Sequence, residues 1–458
     1  MKFEISREGA LKQLDAFINS ELANYSFKRN FDLGPKDKSN VSCLSPYISH
    51  RLITEYEVAK SVLAKFPYQK VEKYIQEIFW RVYWKGWLEL RPQVWTDFIE
   101  DLKGLKEDDN YKKAINGETQ IECFNDWVKE LKENNYLHNH TRMWFASIWI
   151  FTLNLPWQKG AEFFMKHLFD GDAASNTLSW RWVAGLQTKG KHYVAQSWNI
   201  SKFTNNKYKN IKLNENALPV IDKREYKLNP LNFITEDNSN ENLLVFENEL
   251  NLENKNLKKY KNIYLVLLSN DIRKLKLGQK VLEYKSEIIN DQKKRFEDLQ
   301  IIDEVKFQTL ADEINSFDVI HPCIGENFSF LNSYLNQMSP IIRENKGYID
   351  KFMGDGVMAL FQNNPDSAVK AAINMQHEIF KYNKHAEKNE KHRIKIGIGI
   401  NTGKMMLGTL GESNRMEGSV ISDAVNLASR LENLTKTCLL YTSPSPRDLS
   451  TSRMPSSA

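Results

Sequence analysis

Four short stretches ahead of Trp198 combine residue types that could bind an anion, hold a buried charge and stack on flat rings. VSCLSPY, residues 41–47, brackets a turn with two serines before Pro46, which can start a helix. Hydroxyls and backbone N–H groups there suit a pyrophosphate. An ordinary helix N-cap explains the same residues. EIFWR, residues 77–81, sets a carboxylate, an indole and a guanidinium on one helix, where they could line a cavity or only pack. NHTRM, residues 139–143, embeds Asn139 and Arg142 in an apolar run. Buried polar groups need partners, so a ligand or another chain segment must meet both. DGDAASNTLSWRW, residues 170–182, puts two acids around a glycine, then Asn176 and two tryptophans. A Ca²⁺ loop would need further oxygen ligands and a closing glutamate, which are absent.

The elements that must position these groups read as helices. Apolar residues recur at three and four, as in Tyr74, Ile78, Val82 and Ile148, Phe151, Leu155. Pro46, Pro67 and Pro156 fall at expected helix ends. The apolar run 144–157 is too short to span a bilayer and reads as a buried helix. All 11 tryptophans lie between Trp80 and Trp198, which places a domain boundary soon after. Residues 203–242 are a polar connection. In 243–320 the runs LLVF, IYLVLL and FDVI alternate with a helical pattern over 277–299, as in a small α/β domain. Beyond residue 326, GYIDKFMGDGVMALF reads as a hairpin, IKIGIGI as a strand and DAVNLASRLENL as an amphipathic helix. The Ser/Pro/Arg-rich tail 438–458 cannot build a core.

With 41% hydrophobic and 26% charged residues the chain reads as a globular protein, and its +5 charge permits nucleic acid binding without demanding it. Cys43, Cys123, Cys323 and Cys438 show no metal-ligand spacing, which suits free thiols in a reducing compartment. With no apolar N-terminal run, a cytoplasmic protein off the membrane is expected.

In order and spacing, the four stretches together resemble the FAD-binding domain of photolyases and cryptochromes over residues 20–200. The resemblance implies that Tyr25, Ser42, Leu44 and Ser45 hold the flavin diphosphate. It implies a buried Arg142–Asp170 ion pair beside the flavin, Asp172 near the ribose and ring, and Asn176 facing flavin N5. Arg29 matches a DNA-phosphate contact, and Glu77, Trp80, Asn139, Met143 and Trp182 match a pocket for a flipped pyrimidine dimer. Trp180 and Trp157 match the inner members of an electron relay. Residues 114–117 (AING) lack the outer tryptophan, for which Trp127 or Trp149 could substitute. Val41 replaces a threonine and His140 an arginine of the family pattern. The family's N-terminal antenna domain is not expected here. The α/β segment could stand in for it, although no antenna-binding motif is found.

Residues 326–436 resemble the class III nucleotidyl cyclase catalytic domain, through GYIDKFMGDGVMALF, IGIGINTGKMMLGTLGE and RMEGSVISDAVNLASRLENLTK. The resemblance implies that Asp355 binds Mg²⁺. Lys351 and Ser419 would select ATP, and Asn426 and Arg430 would orient ribose and stabilise the reacting phosphate. A hairpin acid and a solvated helix face are the plainer readings of Asp355 and of the last two. NSFDVIHPCIG does not match the family's first metal motif, and two carboxylates are needed for two metals. The final strands also give way to the tail, so an incomplete, inactive cyclase is expected, with a chimeric join between Pro322 and Asn332. A working cyclase of this kind would pair two chains.

The expected architecture is multidomain. It comprises an all-α FAD-binding domain (1–210), a small α/β segment (243–325), a partial α+β cyclase domain (326–437) and a non-native tail (438–458). The expected function is light-driven electron transfer from FAD to damaged or single-stranded pyrimidine DNA, as in a photolyase-type lyase. The alternative is a blue-light receptor with a cyclase output using ATP.

Overall fold

A computed structural model describes residues 3–188, 190–229, 240–313, 317–353, 356–362, 364–388, 396–404, 406–412, 415–421 and 423–434. The chain divides into two compact units, residues 1–307 with 316–330, and residues 308–315 with 331–458.

The first unit opens with α1 (Arg7–Ser20), α2 (Tyr25–Lys28), α3 (Ser45–Ser49), α4 (Glu55–Lys65), α5 (Tyr68–Glu89) and α6 (Gln93–Gly104). There follow α7 (Asp109–Asn116), α8 (Glu122–Asn134), α9 (Asn139–Ser147), α10 (Trp157–His167), α11 (Ala173–Ala184) and α12 (Ser197–Phe203). Local chemistry sets their ends. Pro67 and Pro156 cap α5 and α10, and Pro46 sits in the first turn of α3. Thr54 and Glu57 form a reciprocal capping box on α4. Asp172 caps α11 by accepting from Ser175 N at 2.8 Å, and Gly185 ends it in the left-handed region at φ 86°. The apolar run 144–157 is largely buried but is not one helix. After α9 a π-helical turn spans Ile148–Thr152, and Leu155 N bonds Trp149 O before α10 restarts.

A polar strap leads into β1 (Asn242–Phe246), β2 (Asn262–Val266), α13 (Gln279–Arg295), β3 (Leu299–Ile302), α14 (Glu304–Glu313), β4 (Asp318–Val319) and α15 (Glu326–Glu344). The four strands are all parallel in the order β3-β2-β1-β4, with Leu244 opposite both Tyr264 and Val319. Leu243 to Phe246 are all buried, the signature of a sheet covered on both faces.

The expected border after residue 210 is a change of element type, not of core. Leu243, Val245, Ile263, Leu265 and Ile288 share one cluster with Leu14, Phe17, Tyr47, Leu52 and Val62 of the early helices. The short sheet shares this core through Leu243, Val245, Ile263 and Leu265, with Ile288 of α13 in the same cluster.

The second unit contains the hairpin β5 (Tyr348–Met353) and β6 (Gly356–Leu360), α16 (Pro365–Lys388), the hairpin β7 (Met406–Glu412) and β8 (Arg415–Ile421), and α17 (Asp423–Leu434). Both hairpins are antiparallel and form separate two-stranded sheets. A small cluster, Ile342, Met375 and Ile379, joins α15 and α16 with Ile349 and Val357 against it. The strand expected in IKIGIGI is not found in its described part. Residues 396–400 pair with no ladder, although Gly399 lies against the Ala428 carbonyl, where a Cβ would collide. The tail 438–458 and Asp355 lie outside the described residues.

Candidate functional site

The serine turn is held open by Cys43, whose φ of 50° lies in the left-handed region. It directs the Ser45 hydroxyl to Asp170 and the Ser42 hydroxyl to Tyr74, while Leu44 is buried beneath. Tyr25 on α2 is buried edge-on against Tyr74, with ring centroids 4.9 Å apart, and donates its hydroxyl to Glu77 of α5.

Arg142 of α9 meets Asp170 at 2.9 Å, the ion pair expected from the sequence. Arg142 Nε also donates to the Leu137 carbonyl at 2.9 Å, and the guanidinium lies over the Tyr136 ring. Burial alone would push the Asp170 carboxyl up. Arg142, the more distant Arg81 and the Ser45 hydroxyl outweigh it and hold the group below the usual carboxylate range. Burial pushes the neighbouring Cys43 thiol up to about 11, so it stays protonated.

Both carboxylate oxygens of Asp170 are buried and are met by Arg142 and the Ser45 hydroxyl. On the adjoining α11, Ser175 Oγ, Thr177 Oγ1 and Trp180 Nε1 are buried and unpartnered. Buried polar atoms in a native fold are normally met. Of these residues only Asp170 is expected to face the flavin, with Trp180 expected in the electron relay; the unmet atoms beside them suit a polar ligand. Asn176 is buried on the same helix. Its Nδ2 is spent on the Ala161 carbonyl at 2.8 Å, which leaves Oδ1 to face a ligand. Asp172 pairs with Arg81 and so ties α11 to α5.

The expected lesion pocket is only partly assembled. Glu77 is engaged by Tyr25 and by Arg29, so Arg29 is turned toward a carboxylate rather than left free for phosphate. Trp80 is 51% exposed and lies against Trp84, whereas Trp182 stacks on Tyr193 at 5.9 Å. No ring contact joins Trp80 to Trp182 among the described residues. Asn139 is exposed at the first position of α9, not buried as its sequence setting suggests, and Met143 is half-buried. His140 bonds the Asn30 carbonyl at 3.0 Å and stacks on Trp144, and burial lowers its pKa.

The relay tryptophans are both buried but are not neighbours by ring contact. Trp180 sits edge-on to Phe164 at 5.0 Å and to Trp149 at 6.2 Å. Trp157 stacks on Phe98 at 5.4 Å, with the Arg181 guanidinium over it. Of the two substitutes considered, Trp149 adjoins Trp180, while Trp127 stacks on Trp144.

In the second unit Lys351 lies on β5 opposite Met358, and Ser419 on β8 opposite Gly408, in different sheets. Asn426 and Arg430 are exposed one turn apart on α17. No cluster of three or more metal-ligating side chains occurs among the described residues.

Two family models match in succession. The FAD binding domain of DNA photolyase matches residues 74–224, and the adenylate and guanylate cyclase catalytic domain matches residues 300–448. The chain joins a photolyase-type stretch to a cyclase-type stretch. An adenylate cyclase of Anabaena cylindrica is 47% identical over 116 residues, 24% of this chain and 23% of that protein. A deoxyribodipyrimidine photo-lyase of Agrobacterium fabrum is 29% identical over 184 residues, 39% of this chain and 38% of that protein. A solved bacterial class III photolyase from Agrobacterium tumefaciens aligns at 26% identity and TM-score 0.38, over 43% of this chain and 42% of that one. The chain therefore spans less than half of each of these relatives. The cyclase match begins upstream of Glu326, at β3 of the first unit, and runs on into residues outside the described set.

Sequence reasoning missed three residues of the photolyase-type site. Arg81, in EIFWR, has no partner legible in the sequence, yet it secures Asp172. Tyr74 and Tyr136 wall the serine turn and the Arg142–Asp170 pair. Arg81 lies one helical turn past Glu77, which was the available signal. The two tyrosines carry no spacing signal, since aromatic residues are common in any helical core. Among the described residues no helix is long and apolar enough to cross a membrane.

Proposed function

We propose that the helical part of the first unit binds FAD and, in light, passes an electron to a pyrimidine lesion in DNA. The observation that carries this is the Arg142–Asp170 pair beside the Ser45 hydroxyl, with the unpartnered buried polar atoms of α11 next to it. Bound FAD would supply light absorption and the transferable electron. Ser42 and Ser45 would hold the diphosphate. Arg142, kept charged by Asp170, would favour the anionic reduced ring, and Asn176 Oδ1 would face its N5 edge. Glu77 would release Arg29 to a DNA phosphate on binding, and Trp80 would offer its exposed face to an extruded base. A reducing cytoplasm suits the buried free thiols. The test is an absorption spectrum of the full-length protein, then blue light with reductant and a dimer-containing oligonucleotide. Flavin bands with repair support the reading, and a folded, colourless protein rejects it.

In this reading the cyclase-type stretch is inactive. A second reading makes it the output of a blue-light receptor, with ATP bound by Lys351 and Ser419, Mg²⁺ at Asp355 and two chains paired. The 47% identity to a cyclase favours it. Cyclic AMP formed from ATP and Mg²⁺ in light but not in darkness would establish that reading.

A further inference from the structure

The middle of α5 exposes what a helix of a packed unit normally buries. Phe79, Trp80, Val82 and Tyr83 are each 42–51% exposed, four large apolar side chains close together in the chain. Single exposed apolar residues are ordinary, but a contiguous exposed patch marks a binding surface. Spacing gives this one a direction. Lys73, Gln76, Trp80, Tyr83 and Trp87 recur at three and four, so they share one face of α5 over about 21 Å. The rings on that face brace one another. Tyr83 is edge-on to Trp80 at 5.4 Å, and Trp84, packed against the core, lies 5.5 Å from Trp80 and 5.1 Å from Tyr83. Bracing holds the two outer rings in place while half of each meets solvent.

The charges left over along this face are positive. At its far end the Arg91 guanidinium lies over the Trp87 ring at 4.4 Å. At its near end the Lys73 ammonium donates to Gln76 Oε1 at 3.3 Å. Among the described residues neither cation is paired with a carboxylate. The neighbouring acids are engaged. Glu77 is taken by Arg29 and Tyr25, Glu72 accepts from Gln76 Nε2 at 3.0 Å, and Glu89 lies 3.8 Å from His321.

A partner for this face must present flat apolar surfaces in succession, with negative charge to either side. A duplex hides its base faces in its own stack, and an apolar helix of another protein brings no anion for Arg91 or Lys73. A single strand of nucleic acid supplies both, and stacking on aromatic side chains accepts every base because each has a π-face. We propose that the outer face of α5 is a track for single-stranded nucleic acid, on which Trp80 and Tyr83 stack successive bases while Arg91 and Lys73 hold the flanking phosphates. The track rests on the DNA reading above only through Trp80, which both use, and it needs neither flavin nor light.

The test is fluorescence anisotropy of a labelled, lesion-free oligo-dT strand with the full chain in darkness, compared with the same strand paired to oligo-dA. Binding of the single strand about tenfold or more tighter than the duplex is expected, with quenching of Trp emission. Tyr83→Ala should weaken it roughly five- to a hundredfold, the range for one lost stack, whereas Tyr83→Phe keeps the ring and the affinity. Arg91→Gln should flatten the slope of log K against log salt by about 0.7, the value for one phosphate contact on a single strand. Circular dichroism checks that each variant is folded. Equal affinity for strand and duplex, no binding of the strand at micromolar protein, or unchanged affinity in folded Tyr83→Ala overturns the track. Chain dimerisation that Tyr83→Ala abolishes, without strand binding, also overturns it and assigns the face to a second copy. Dark strand binding by a chain that shows no flavin absorbance rejects the flavin reading and leaves the track standing.

Discussion

The first unit and the second treat their candidate site residues in opposite ways. On the photolyase-type side, Arg142, Asp170, Asp172 and Arg81 are sequestered and paired across three helices. On the cyclase-type side, Asn426 and Arg430 stand exposed on α17. Burial makes the difference. A charge out of water costs several kcal/mol unless a partner is held at good geometry, so a buried pair fixes the positions of the helices that carry it. An exposed pair fixes nothing, because water meets each group at no cost in structure.

The sharpest way to break this comparison is Asp170→Asn, which leaves the partly buried Arg142 guanidinium without its carboxylate. A loss of about 3–5 kcal/mol is expected in urea denaturation, together with loss of any flavin absorbance. A variant as stable as wild type would show that the pair does not organise the unit.

The next effect is on pH dependence. Burial, with Lys285 next, pushes the His50 imidazole down to about 3, and burial does the same to His138. Lys285 Nζ lies 3.1 Å from His50 Nε2, and His50 Nδ1 is 2.9 Å from the Pro46 carbonyl, an arrangement that suits a neutral ring. Both histidines bind a proton near pH 6.5 in the unfolded chain but only near pH 3 when folded. The unfolded state therefore takes up more protons below about pH 6.5. Stability should fall from there toward pH 3, by about 1.4 kcal/mol per pH unit for each histidine. The Asp170 contribution is present above about pH 3.9 and is lost only as pH falls further, through its lowered folded value. Urea midpoints for the first unit at pH 7 and pH 5 check this, and equal midpoints would contradict it.

A smaller effect is expected at Gly160 of α10, where an added Cβ would overlap the Trp180 ring. Gly160→Ala should cost about 1–3 kcal/mol by overpacking and red-shift Trp fluorescence. The smallest belongs to the exposed side of the comparison. Asn426→Ala and Arg430→Ala should each change stability by no more than about 0.5 kcal/mol in thermal denaturation. A larger loss would mean that α17 is not the solvated face it presents.

Much of the first unit was readable beforehand because its signals are local. Pro67 and Pro156 start helices wherever they occur in such a pattern, and LLVF and IYLVLL are too apolar and too short for anything but buried strands. The Arg142–Asp170 pair was legible only through the resemblance, since the two residues lie on different elements with α10 between them. The strand in IKIGIGI failed because alternation describes one face of a ladder and cannot supply the neighbouring strand. Asn139 was misplaced because an apolar setting in sequence does not say which turn of a helix emerges into solvent.

By itself the sequence determined helix starts such as those at Pro67 and Pro156, the buried character of the apolar run 144–157 and the alternation of strand and helix over 243–320, since propensity, capping and period act within a few residues. Tertiary structure alone decided that the sheet would share a core with the early helices, that Arg81 would secure Asp172, and that Trp80 and Tyr83 would stay exposed on α5. Those outcomes depend on which distant surfaces exclude water together, and apolar burial has no direction that a linear pattern could record.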